Sequence, residues 1–154
     1  CGAGPAASAV GMDKTLFKRV VATLELPVLP WAEVMAPELA ADRPAVLTGL
    51  REFAAGYNNV MVVLDSNHTH EHVLAELEAY ADLTAVGSYC VVFDTVVEDV
   101  PDEYSTDRPW GKGDNPKTAV WEYLESHPEF EIDKDIENKL LITVAPDGFL
   151  RRVS

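Results

Sequence analysis

Asp65 and Asp94 each close an apolar run, VMVVLD at 60–65 and YCVVFD at 89–94. A short run rich in valine that stops at a polar residue is the pattern of a buried strand. In open α/β sheets, ligands sit beyond the C-terminal ends of the strands. If these two strands are neighbours, both carboxylates lie at one edge. A hard divalent cation such as Mg²⁺ takes a few oxygen ligands there and keeps several waters. Asp65 and Asp94 are therefore the metal candidates, with Thr95 or Asn67 as nearby oxygen donors. Glu98 and Asp99 are further acids at the start of the following loop. The competing reading is that each aspartate only caps the turn or helix that follows it. Two such acids at equivalent strand ends favour ligand binding over capping.

Between these runs lies SNHTHEH, with His68, His70 and His72 at alternate positions. On a helix His68 and His72 share a face, and His70 points elsewhere. Zinc hydrolases also use alternating histidines, but with further histidine and acidic ligands downstream. Here only His127 follows, so a polar, solvated turn fits the residues better. His68, nearest the strand end, is the candidate general base or substrate contact, because a neutral imidazole accepts a hydroxyl proton near pH 7. Arg108, Trp110, Lys112 and Asn115 fall in a long polar segment, EDVPDEYSTDRPWGKGDNP, at 98–116. Long loops in compact domains are often lids. As a lid, Trp110 would offer an apolar stacking face and Lys112 a cation. As plain structure, Trp110 would pin the loop and the charges would be solvated.

The elements that must hold these residues follow from periodicity. Helices are expected at 12–25, capped by Asp13, and at 37–56, stopped by Gly56. Pro27 and Pro30 make 26–34 extended. A strand at 59–65, a helix at 69–83 with Thr69 as cap, and a strand at 87–97 form a β-α-β unit of a parallel sheet. Val73, Leu77 and Tyr80 or Ala81 face inward. Asn115 and Pro116 start a helix over 117–126. A short strand is expected at 130–135, then a β-hairpin over 139–153 around Pro146-Asp147-Gly148.

Bulk properties narrow the function classes. The chain has 154 residues, 47% hydrophobic and 25% charged, as in a globular protein. Its net charge of −14, from 12 basic and 26 acidic residues, repels nucleic acid. No apolar run reaches the roughly 20 residues that span a bilayer, so no membrane association is expected. Cys1 and Cys90 are the only cysteines, which implies no disulfide framework and a cytoplasmic setting. The Cys start, rather than Met, suggests a processed product or a piece of something longer. The glycines of GAG at 2–4 lack the preceding strand that a nucleotide fingerprint needs.

The stretches VMVVLDSNHTHEHVLAELEAYADL, GSYCVVFDTVVEDVP, DRPWGKGDNPKTAVWEYL and EIDKDIENKLLITVAPDGFLRRV occur in that order from Val60 to Val153. This part resembles the C-terminal portion of the cephalosporin hydroxylase family, Rossmann-like proteins related to S-adenosylmethionine-dependent methyltransferases. The resemblance implies an α/β fold: a partial Rossmann-like parallel sheet with flanking helices and a C-terminal β-hairpin. It implies S-adenosylmethionine and Mg²⁺ as cofactors, a hydroxylated small-molecule acceptor, and Asp65 and Asp94 as the acids that hold the metal. The stretch GAGPAASAVGMDKTLFKRVVATLELPVLPW instead resembles D-alanine–D-alanine ligase where its ATP-grasp region begins. There the matching position to Lys14 contacts ATP phosphates. The reading therefore divides the chain into 1–57, ligase-like, and 58–154, methyltransferase-like. Each part lacks pieces of its family's site, including the methyltransferase glycine loop, so a truncated or chimeric product with little or no turnover is expected. A half-sheet would leave the 59–65 strand with an open apolar edge, and homo-oligomerisation through that edge is expected.

Overall fold

The structure is a computed structural model that describes residues 43–154. The helix expected at 12–25, the extended segment at 26–34, the GAG glycines and Lys14 lie outside the described residues. The chain divides into two compact units, Cys1–Leu50 and Arg51–Ser154, and the candidate site belongs wholly to the second.

Helix α1 covers Arg43–Ala54, and the amides of Ala55 and Gly56 close its last turn on Arg51 and Phe53. Strand β1 is Val62–Leu64, helix α2 His70–Tyr80 and strand β2 Tyr89–Val92. The two strands pair in parallel, Val62 beside Cys90 and Leu64 beside Val92, so the expected β-α-β unit is present. Helix α3 is Pro116–Ser126, strand β3 Phe130–Ile132, helix α4 Lys134–Leu140 and strand β4 Phe149–Arg152. The sheet order is β1-β2-β4-β3, and β4 runs antiparallel to both of its neighbours. The sheet is therefore mixed, with the parallel pair at the end that carries the site.

Val73, Leu77 and Ala81 of the α2 region are buried, as the periodicity requires. They pack with Leu64, Cys90, Val92 and Leu150 of the sheet and with Ala119, Val120 and Tyr123 of α3 in one core. Central strand β2 is buried on both faces through Cys90, Val91 and Val92, whereas β1 leaves Val63 46% exposed and Met61, just before it, is 61% exposed.

Two expectations need correction. Strand β2 stops at Val92, and Thr95–Glu98 is a turn of 3₁₀ helix. Asp94 takes the left-handed conformation (φ 57°), which breaks the pleat before the remaining valines can extend it. Residues 139–145 do not form a hairpin arm. Asp133 accepts the amides of Asp135 and Ile136 and starts α4, while Leu140, Leu141 and Ile142 end in solvent. The partner of β4 on that side is β3. The turn itself is as expected: Asp147 is left-handed (φ 66°). Gly148 is forced by contact, since a Cβ there would lie 2.2 Å from the Val92 carbonyl oxygen.

Candidate active site

The parallel register carries the chain ends of β1 and β2 to one edge. The Phe93 amide donates to the Leu64 carbonyl (3.0 Å), which sets Asp65 beside Phe93 and Asp94 one residue further on. Beyond this edge, His68 Nε2 lies 3.0 Å from Asp94 Oδ2, with the two side chains 26% and 31% exposed. The left-handed backbone at Asp94 accompanies this placement. The ring of Trp110 stands edge-on to His68, centroids 4.8 Å apart, and the Arg108 guanidinium lies 5.4 Å from the Trp110 centroid. Three sequence candidates, His68, Asp94 and Trp110, are thus brought together from three segments.

In the neutral tautomer in which Nε2–H donates to Asp94, the lone pair of His68 would reside on Nδ1. A carboxylate that orients an imidazole in this way sets its tautomer and leaves a base with a defined direction.

The other candidates hold the surroundings. Asn67 Oδ1 accepts from the Thr69 amide (2.9 Å) and hydroxyl (3.1 Å), a local turn that aims the chain into α2. Thr69 occupies the N-cap position without capping. The His70 amide is instead taken by Asp114 Oδ1 at 2.7 Å, across 44 residues of chain. The Thr95 hydroxyl is buried and donates to the Pro146 carbonyl (2.6 Å). Glu98 accepts from the Gly113 amide (2.9 Å) and from Asn115 Nδ2. Asp99 receives both bonds of the buried Lys117 ammonium, at 2.7 and 2.9 Å. Lys112 lies 3.8 Å from Asp102 on the exposed loop.

The remaining histidines have structural partners. His70 meets Thr118 Oγ1 at 2.8 Å and Glu122 at 3.0 Å on α3. His72 meets Ser66 Oγ at 3.1 Å, and that hydroxyl donates to Glu76 (2.6 Å). His127 stacks on Tyr123 at the end of α3. Among the described residues no three His, Cys, Asp or Glu side chains gather closely enough to hold a metal ion. Sequence reasoning missed the Ser66–His72–Glu76 group and the long-range roles of Asp114 and Lys117. For Asp114 and Lys117 the only local signal is the dense polar run around Asn115.

A family described as rhamnosyl O-methyltransferase/CmcI matches residues 24–153 of the chain. The chain belongs to that family. The match begins inside the segment whose sequence resembles the ligase, so residues 24–56 fall within the rhamnosyl O-methyltransferase/CmcI match. Among relatives, the rhamnosyl O-methyltransferases of Mycobacterium tuberculosis (strain H37Rv) and Mycobacterium bovis (strain AF2122/97) are each 32% identical over 122 residues, 78% of this chain and 47% of theirs. That of Mycobacterium leprae is 29% identical over 128 residues, 82% of this chain and 53% of its own. The chain thus spans about half the length of these relatives. No solved structure matches it. No helix among the described residues is long and apolar enough to cross a membrane.

Proposed function

We propose that this chain carries the acceptor-activating part of a metal-assisted O-methyltransferase. The reading rests on the His68–Asp94 pair, 3.0 Å apart beyond the ends of two parallel strands, in a chain of this family. A hydroxyl that attacks a methyl group must give up its proton to a base within hydrogen-bond reach. His68 is that base, Asp94 fixes its ring, and Trp110 supplies an apolar wall beside it. The relatives are named for rhamnosyl units, so a sugar hydroxyl is the acceptor class we assign.

Asp65 and Asp94, which follow the ends of the paired strands β1 and β2, are the carboxylates we assign to Mg²⁺, an ion that commonly takes one or two carboxylates and keeps waters. When bound there, Mg²⁺ would stabilise the developing alkoxide. S-adenosylmethionine, the donor this reading assigns, would supply the methyl group. No step is assigned to the described residues for it. With about half the relatives' length covered, we assign turnover to a longer protein and expect the 154-residue chain alone, truncated or chimeric, to be weakly active or inactive. The ATP-binding alternative depends on Lys14, outside the described residues. A cytoplasmic setting goes with this reading, on the cysteine count. Self-association through the β1 edge, where Met61 and Val63 are exposed, is part of the same proposal.

Titration calorimetry with MgCl₂ tests the metal. Saturable heat is expected for the wild-type chain and is lost in Asp65→Asn and Asp94→Asn. Wild-type heat that does not saturate, or variants that match wild type, overturn it. In a protein that spans the relatives' full length, His68→Asn should lower kcat about 10²- to 10⁴-fold with KM nearly constant. An unchanged kcat removes His68 as the base.

A further inference from the structure

We propose that Glu98 and Asn115 form a clasp that fixes Trp110 against His68, so that the 105–115 loop is a rigid wall of the acceptor site rather than a lid. This rests on the site reading above. A segment this rich in Gly, Pro and polar residues has little apolar surface of its own to order it. Its order comes from a small set of hydrogen bonds centred on two side chains.

Glu98 Oε2 accepts from the Gly113 amide at 2.9 Å and from Asn115 Nδ2. The same Nδ2 donates to the Gly111 carbonyl at 2.8 Å. Asn115 Oδ1 accepts from the amides of Lys117 (2.9 Å) and Thr118 (3.3 Å) at the start of α3. Asn115 is completely buried and uses both its donor and acceptor ends, leaving little freedom to rotate. Between these anchors, Gly111 and Asp114 exchange backbone bonds at 2.9 and 3.1 Å, and Gly113 takes φ 82° to make the turn. Asp114 then ties the turn to α2 through the His70 amide. Trp110 enters this turn directly, so its ring is held relative to α2, α3 and the segment after β2 together. Those three elements flank His68 and Asp94.

One oxygen of Glu98 takes both bonds, which makes a sharp distinction among variants. Glu98→Gln keeps an acceptor oxygen in that place. Glu98→Ala leaves the Gly113 amide and the buried Asn115 Nδ2 without it. Asn115→Asp keeps the oxygen that caps α3, removes the donor, and sets two carboxylates together.

The full chain labelled with 5-fluorotryptophan, read by ¹⁹F NMR, tests the clasp. The chain has three tryptophans: Trp110→Phe assigns the Trp110 resonance, Trp121→Phe separates Trp121 from Trp31, and Trp121, which lies near Lys117, is the internal reference. Glu98→Ala and Asn115→Asp should move the Trp110 resonance toward its position in urea, Glu98→Gln should leave it in place, and Trp121 should hold still throughout. If Glu98→Ala does not fold, Asn115→Asp is read in its place. If neither folds, the proposal stands only if Glu98→Gln folds with Trp110 unmoved. An unmoved Trp110 in the disrupting variants, equal movement in Glu98→Gln and Glu98→Ala, or joint movement of Trp110 and Trp121 overturns the clasp. Neither donor nor metal enters the readout, so failure of the clasp and failure of the methyltransferase reading are separable.

Discussion

Gly148→Ala should weaken the domain and loosen its site in one stroke. The added Cβ would stand 2.2 Å from the Val92 carbonyl oxygen, 3.1 Å from the Ala145 Cβ and 3.2 Å from the Ala145 carbonyl oxygen. Carbon and carbonyl oxygen rest about 3.3–3.6 Å apart, so the first contact is short by about 1 Å. Its partner is backbone of the central strand and has no flexible end to swing away. Relief requires β2 and the turn before β4 to separate, which stretches the bond from the Val92 amide to the Gly148 carbonyl, now 2.8 Å. Overpacking of this kind costs ~1–3 kcal/mol, and a buried amide left unpaired a further ~1–3 kcal/mol. The sum is about 2–6 kcal/mol. At ~2–4 °C per kcal/mol for a chain of this size, the melting midpoint should fall by at least about 4 °C in circular dichroism. Val92 lies two residues before Asp94, so the His68–Asp94 contact should loosen as well, visible as a changed His68 ring resonance at fixed pH. A midpoint within about 3 °C of wild type, on the same scale, would refute the argument.

Three further outcomes are expected. The Tyr89 hydroxyl donates to Asp133 at 2.7 Å, and this bond, against some opposing desolvation, holds the Asp133 carboxyl below its ordinary 3.8. A depressed folded pKa stabilises above the unfolded value and is lost as pH falls through the folded one, so wild type should lose more stability on acidification below pH 4 than Tyr89→Phe. Equal acid limbs in urea titrations would count against the bond. Burial, with a smaller contribution from Glu76, pushes the Cys90 thiol up to about 12. Since Cys90 is fully buried, it should resist iodoacetamide at pH 8 in the native chain and react once unfolded; labelling of Cys90 in the native chain at the unfolded rate would contradict the packing. Sedimentation at high protein concentration should show self-association through the β1 edge, a clean monomer being the contrary result.

The sequence by itself determined the elements whose signals are local. Valine runs ending at Asp65 and Asp94 marked the parallel pair, the spacing of Val73, Leu77 and Tyr80 or Ala81 marked the inward face of α2, where the fold buries Ala81, and Asn115-Pro116 marked the start of α3, because each pattern expresses a strand or helix period or a cap. His68 was legible as the histidine nearest a strand end. Tertiary structure decided what depends on partners distant in the chain. Residues 139–145 read as a strand by composition, yet Asp133 started a helix and β3 took the pairing edge of β4. Thr69 read as a helix cap, yet its side chain makes no capping bond, and Asp114 takes the first helical amide, that of His70, from 44 residues away. Which histidine faces an acid, and which acid anchors a loop, follows from packing of β2, α2 and α3 around one core. Side chains carry the chemistry in their types, but only the fold selects their neighbours, and a hydrogen bond formed across 44 residues leaves no periodic trace in the chain that makes it.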